Sequence, residues 1–374
     1  MRASTRSGLT LTAALAVAAC GSGGQAPAGS RPAEEKVLNV YNWTDYVGRT
    51  TIADFEARTG IKVVYDTYDS NEIVETKLLT GGTGYDIVVP TATFAERLIK
   101  AGAFLKLDKS ELPNLANMDP AIMQRLAAND PGNHYVIDYT WGMDGLAYNP
   151  QKVRKALGTD RLDSWSALFD PAIASRLASC GIAILDAPED AFNVALAYLG
   201  RDPNSERAED LEAAEALWKK ARPYVRYFHA SQHTNDLATG EICVALDWNG
   251  LANQARARGA EATPPVEVVY VTPKEGSVSW FDAIAIPADA PHPRNAHAFL
   301  NFLMEPAVIA AVTRDIGYAN GNRASLAYLP PEIRDDPTVY PPPDVFAKLH
   351  PALAHTQDYS RRLNRAWTRV KTGQ

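Results

Sequence analysis

Val37-Leu38-Asn39-Val40-Tyr41-Asn42 reads as a β-strand, and the pattern that follows it decides the fold. Thr50 to Thr59 places Ile52 and Phe55 on one helical face and meets a stop signal at Gly60. Ile61 to Tyr65 is a second strand. Asp69-Ser70-Asn71-Glu72 has the form of a capping box opening a helix that runs toward Gly81 and Gly82, and the apolar run Ile87 to Val89 follows. Strand, helix, strand, helix, strand implies an α/β fold with a parallel sheet. Ile182 to Leu185 begins a second region, in which Cys243 to Leu246 is a further strand, and Val266 to Val271 and Ala283 to Ile286 supply more. No internal repeat is visible.

Ligands of open α/β sheets bind beyond the carboxyl ends of the strands. In this chain those ends carry Trp43-Thr44-Asp45-Tyr46, Thr91 to Phe94, Asp186 to Asp190 and Asp247-Trp248-Asn249, while Trp280-Phe281-Asp282 stands just before Ala283. Any single Trp or Asp among them could be an ordinary core or surface residue. Aromatic rings beside carboxylates at several strand ends form a pattern with one chemical meaning. A linear diamine has an apolar methylene chain between two ammonium groups. Ring faces would cover the chain and attract the cations, at roughly 0.5–2 kcal/mol per cation–π contact, and carboxylates would fix the ends through charge-assisted hydrogen bonds.

The composition agrees with such a ligand. The 374 residues, 46% hydrophobic and 22% charged, supply enough apolar material for one two-lobed body or two domains. The formal charge of −7 becomes −9 once Arg2 and Arg6 leave with the N-terminal segment, and no basic run offers a nucleic-acid surface. Arg2 and Arg6 precede the apolar run Leu9 to Ala19, which is too short to span a bilayer and reads as a secretory signal over residues 1–19. It ends in Val17-Ala18-Ala19-Cys20, a lipobox-like sequence that makes Cys20 the expected lipid attachment, with residues 20–36 as a Gly, Pro, Ser and Ala-rich tether. An ordinary signal peptide with an incidental cysteine is the alternative. Cys180 and Cys243 are then left in a compartment that permits disulfides. They are either bonded, at roughly 4 kcal/mol of loop-closure stabilisation, or two buried thiols.

Tyr41 to Tyr46, Tyr65 to Glu72, Tyr85 to Pro90 and Leu185 to Glu189 closely resemble the putrescine- and spermidine-binding proteins of bacterial polyamine uptake. So do Trp280-Phe281-Asp282, Tyr318-Ala319-Asn320, Tyr340-Pro341-Pro342 and Arg365-Ala366-Trp367. The resemblance spans the whole mature chain and is nearest to the putrescine type. It implies a type II periplasmic binding protein of Venus-flytrap form, each lobe a mixed, mainly parallel sheet with flanking helices. Lobe 1 would hold residues 37–140 and 257–317, and lobe 2 residues 141–256 and 318–374. It also implies a periplasmic, lipid-anchored protein that closes on a polyamine and docks on the transmembrane subunits of an ABC permease, touching the membrane only through the anchor. The implied ligand contacts are Trp43, Thr44, Asp45, Tyr46, Thr91, Trp280 and Asp282 from the first lobe, with Asp190, Trp248 and Tyr318 from the second lobe or the hinge. No cofactor, metal or nucleic acid is expected.

Three positions depart from the putrescine type. Asp190 stands where relatives carry glutamate, Trp280 where they tend to carry phenylalanine, and Leu251 where an aspartate three residues after the tryptophan anchors an amine. Leucine accepts no ammonium hydrogen bond. Trp248-Asn249-Gly250 and Trp280 look more like the spermidine branch, so the residues leave putrescine, spermidine or another cationic amine open, and a sensor role beside a transport role. Asp144 and Asp247 are the acids that could compensate, although strand alternation turns Asp247 away from the Trp248 face.

Other classes fit less well. The chain has no G-x-S-x-G, P-loop or H-E-x-x-H pattern for an enzyme, and no acid–base pair singled out for glycoside chemistry. His229 and His233 have one-turn spacing but no third metal ligand nearby. A ferric-ion carrier would need clustered tyrosines with few tryptophans in its cleft, the reverse of this pattern.

Overall fold

The computed structural model describes residues 34–373. The leader, Cys20 and the tether as far as residue 33 lie outside the described residues. Strands β1 (Val37–Trp43), β2 (Lys62–Tyr68) and β3 (Ile87–Val88) are parallel, with Val40 between Tyr65 and Ile87 in the pairing. The helix Thr51–Thr59 buries Phe55 edge-on against Phe299, ring centroids 5.0 Å apart. The helix Asn71–Thr80 is capped by Ser70, which accepts from the Ile73 N–H. The expected capping box therefore does not form as read: Asp69 instead accepts from the Thr44 hydroxyl at 2.9 Å, and Glu72 is one position too early to close the box.

The remaining strands are β4 (Val136–Tyr148), β5 (Ile182–Leu185), β6 (Val225–His229), β7 (Val244–Trp248), β8 (Val269–Val271), β9 (Ser277–Ala285) and β10 (Leu349–Pro351). The sheet order is β2-β1-β3-β9-β4-β7-β5-β6, with β10 on β9 and β8 on β4. β9 is antiparallel to β3 and to β4, which makes the first section mixed; β5 is parallel to β6 and β7. β9 begins at Ser277, six residues before the expected strand, and β8 is shorter than the run expected from Val266.

β4 organises the molecule. All thirteen of its residues are buried, and it changes partners midway: Val136 to Met143 pair with β9, and Asp144 to Tyr148 pair with β7. The two lobes of this type II fold thus share one continuous strand. Its polar residues Asp138, Thr140 and Asp144 break up the apolar run that would have marked it as a strand in the sequence.

The second section has its own core of large rings, in which Trp218 stands 5.7 Å from Trp367 of the C-terminal helix Gln357–Thr372. That helix also ties up Asp186, which accepts from the Trp367 indole at 2.7 Å and pairs with Lys371 at 2.8 Å. Cys180 and Cys243 form a disulfide, with Cα atoms 5.5 Å apart, linking the end of the helix Pro171–Ala178 to the entry of β7.

Candidate ligand site

Side chains two apart along a strand share a face, and directly opposed residues of an antiparallel pair share it too. On one face of β4 these are Thr140, Gly142 and Asp144. Asp282 lies opposite Thr140, Trp280 opposite Gly142, and, on the other flank, Trp248 opposite Asp144. The alternation therefore lays out a row of carboxylate, indole, indole and carboxylate that runs through the partner change.

Two glycines make room for the rings. A Cβ on Gly142 would lie 2.3 Å from the Trp280 ring, and one on Gly250 would lie 2.2 Å from the Tyr318 ring. With both spaces open, four rings follow one another edge to face: Tyr46 to Tyr318 at 5.8 Å, Tyr318 to Trp280 at 5.2 Å, and Trp280 to Trp248 at 6.1 Å.

The Asp282 end is fully built. Asp282 Oδ2 accepts from the Tyr46 hydroxyl at 2.7 Å and Oδ1 from the Thr91 hydroxyl at 2.8 Å. Behind them Tyr46 Oη shares a 2.7 Å hydrogen bond with Thr140, while Asn71 donates to Thr91 Oγ1 and accepts from the Thr91 N–H, both at 2.9 Å. Burial pushes the Asp282 carboxyl up to about 6, against the opposing pull of these two hydroxyl donors. Trp43 is half-buried beside this end, donating to the Val89 carbonyl at 2.9 Å and packing on Tyr68 at 4.7 Å.

The other end is less complete. Asp190, in the first turn of the helix Pro188–Tyr198, accepts on Oδ2 from the Trp248 indole at 3.1 Å. Burial, then the neighbouring Glu189 charge, pushes its carboxyl up to about 7. Asp144 is fully buried, and neither carboxyl oxygen has a hydrogen-bond partner; the Trp280 Nε1 is also unpartnered. Among the described residues no lysine or arginine pairs with Asp144, Asp190 or Asp282.

The structure thus brings together Tyr46, Thr91, Asp190, Trp248, Trp280, Asp282 and Tyr318 of the expected contacts, with Trp43 at the margin. Thr44 and Asp45 are exposed; Thr44 is held by Asp69, and Asp45 has a φ of 55°, a left-handed conformation that aspartate tolerates better than most residues. Leu251 is half-buried in the first turn of the helix Asn249–Glu261 and offers no acceptor. Asp247 faces the opposite side of β7, where His233 Nε2 meets its Oδ1 at 2.8 Å with both side chains fully buried. His229 is exposed and its Nδ1 accepts from the backbone of Ser231 and Gln232, so the two histidines serve separate local contacts. Thr140, Tyr68 and Asn71 support the site without having been singled out in the sequence. Thr140 needed the β4 register to be seen.

Residues 50–341 match the family of bacterial extracellular solute-binding proteins. The putrescine-binding periplasmic protein PotF of Escherichia coli strain K12 is 46% identical, over 92% of this chain and 94% of its own length. A spermidine/putrescine-binding periplasmic protein of the same organism is 36% identical, over 82% of this chain and 84% of its own. A solved structure described as a putative spermidine/putrescine ABC transporter from Listeria monocytogenes superposes with a TM-score of 0.79 at 31% identity, covering 91% of this chain and all of that one (100%). Family match, whole-length identity and shared architecture agree: the chain belongs to the bacterial extracellular solute-binding proteins.

Proposed function

We propose that this protein captures a linear polyamine between its lobes outside the cytoplasm and delivers it to the transmembrane subunits of an ABC permease. The observation that carries this reading is the row of edge-to-face rings with the buried carboxylates of Asp282 and Asp144 at its two ends, half-buried Asp190 beside the second, and, among the described residues, no side-chain cation paired with them. Buried carboxylates without a counter-charge are costly, and a ligand that brings two or more ammonium groups on a methylene chain removes that cost along the row. Trp43, Thr44, Asp45, Tyr46, Thr91, Trp280 and Asp282 would serve from residues 37–140 and 257–317, and Asp190, Trp248 and Tyr318 from residues 141–256 and 318–374 or the hinge. Ligand contacts to both sets favour the closed form, since only differential affinity moves such an equilibrium. The names of the relatives support the ligand class.

The finer localisation in this reading is a periplasmic protein held by a lipid on Cys20; recovery of the full chain in the membrane fraction, lost on Cys20→Ser, tests it. The ligand class is tested by calorimetry of the mature chain carrying Cys20→Ser against putrescine, cadaverine, spermidine, spermine, agmatine and amino acids. Binding heat and thermal stabilisation are expected with at least one polyamine and with none of the neutral amino acids. Silence with every polyamine would overturn the reading.

A further inference from the structure

The Asp144 backbone is held by the sheet and by the Ser277 hydroxyl, which donates to its carbonyl at 2.8 Å. Its carboxyl is bound by no protein group with normal hydrogen-bond geometry among the described residues, and the one donor turned toward it is the Trp280 indole, itself unpartnered. Asp144 is fully buried, both of its carboxyl oxygens lack a partner, and it faces the row of rings: Trp248 is directly opposite in β7, and Trp280 is on the same face one pair further along β4. Asp190 joins it through Trp248, using only Oδ2 for that hydrogen bond. An ammonium group has three N–H donors. Asp144 Oδ1 and Oδ2 with Asp190 Oδ1 supply three acceptors, at the place where Leu251 supplies none.

The spacing to the other end follows from strand geometry. Asp282 sits opposite Thr140, and Asp144 lies four residues further along the regular part of β4, a separation of about 13 Å between backbone positions. An extended four-carbon diamine spans about 6 Å between its nitrogens, and a triamine built from a three- and a four-carbon segment about 11 Å. We infer that Asp144 is the distal amine anchor of the site, sharing one ammonium with Asp190 while Asp282 holds another, and that this spacing selects a linear triamine over a four-carbon diamine. The inference rests on the polyamine reading above. Access fits the architecture: Trp248 and Trp280 stand on β7 and β9, on either side of the partner change in β4, so parting of the lobes uncovers the carboxyl between them. Burial first, then the Asp190 charge and more weakly that of Asp247, hold the Asp144 carboxyl well above the usual carboxylate range against the pull of the Trp280 indole, so an arriving ammonium, which favours the ionised form, couples binding to proton release.

Calorimetry on the mature chain carrying Cys20→Ser, with spermidine and putrescine in buffers of different ionisation heat, tests this. The expected results are spermidine bound at least about tenfold more tightly than putrescine, proton release on spermidine binding, and an Asp144→Asn variant that loses about 30-fold or more in spermidine affinity, a smaller factor for putrescine, and part of the released proton. Asp144→Glu should keep the proton release and recover part of the affinity. Equal loss for both ligands in Asp144→Asn, no loss for either, or tighter binding of putrescine by the parent chain would overturn the inference while leaving the polyamine reading intact. Absence of binding by the parent chain to any polyamine would overturn the function itself. If Asp144→Asn does not fold, as judged by its thermal transition, the parent chain decides: putrescine preference or no proton release on spermidine binding overturns the inference.

Discussion

Asp282 on β9 and Asp144 on β4 stand at opposite ends of one row on the same face of the sheet, and the protein treats them differently. Asp282 has a hydroxyl donor on each oxygen, and each donor is itself held by a second residue, Thr140 behind Tyr46 and Asn71 behind Thr91. Asp144 has none. A carboxylate fixed in this way is pre-organised and loses little freedom when an ammonium binds, whereas a bare one is completed by the ligand. The first end suits a contact made with every polyamine, and the second suits discrimination among them.

The most direct way to break this comparison is at its stronger end. Asp282→Asn keeps the shape and removes the charge, and it should weaken every polyamine by about 2–5 kcal/mol regardless of ligand length. Tyr46→Phe, which removes one of the two supporting hydroxyls and leaves the charge, should weaken the same ligands by only about 1 kcal/mol. Calorimetry with a short and a long ligand reads both. A length-dependent loss in Asp282→Asn, resembling that expected for Asp144, would erase the distinction between the ends.

Acidity sharpens the comparison with a smaller effect. Burial raises Asp282 to about 6 and Asp190 to about 7, and raises Asp144 as well; Glu189 adds to the shift at Asp190 and Asp138 faces Asp282 electrostatically. In an unfolded chain an aspartate titrates near about 3.9. Between that value and about 7 the unliganded protein therefore binds more protons than its unfolded chain, and its stability falls as pH rises through the window. A polyamine needs the ionised carboxylates, so its affinity moves the other way and should be at least about tenfold weaker at pH 5 than at pH 7. Thermal unfolding from pH 5 to pH 8 should show the unliganded midpoint dropping while the ligand-induced increment grows. An increment that stays flat over that range would mean that the acids are already charged without ligand.

The two parts of the site were not equally legible. Trp43, Tyr46, Asp190, Trp248, Trp280 and Asp282 could be found because each lies near the end of a strand or in a strongly aromatic stretch, where the α/β architecture places ligands. The support behind Asp282 was less visible, because Thr140 and Asn71 are ordinary polar residues whose role depends on contacts to positions distant in sequence. Asp186 stood in the same strand-end segment as Asp190 and was taken up by Lys371 and Trp367, a pairing that only the docking of the C-terminal helix creates. The helix after β2 starts one residue later than its capping sequence suggests, since Asp69 and Ser70 are both good caps and capping by Ser70 leaves Asp69 free for Thr44.

The sequence by itself determined the alternating strands and helices of the first section, the ring-and-carboxylate chemistry of the site and the family to which the chain is similar, because these depend on local periodicity and residue type. The pairing of Cys180 with Cys243 was one of two open readings until the backbone brought their Cα atoms to 5.5 Å. Only the tertiary structure decided the course of β4, whose polar residues hide its period, and the change of partner between Met143 and Asp144. That register put Asp144 on the same face as Asp282, Trp280 and Trp248, and a non-local register is set by the packing of both lobes at once. Two expected contacts and two candidate substitutes for the acid missing at Leu251 thereby became a braced anchor at Asp282, an indole-bound one at Asp190, a histidine partner at Asp247 and an unpartnered carboxyl at Asp144.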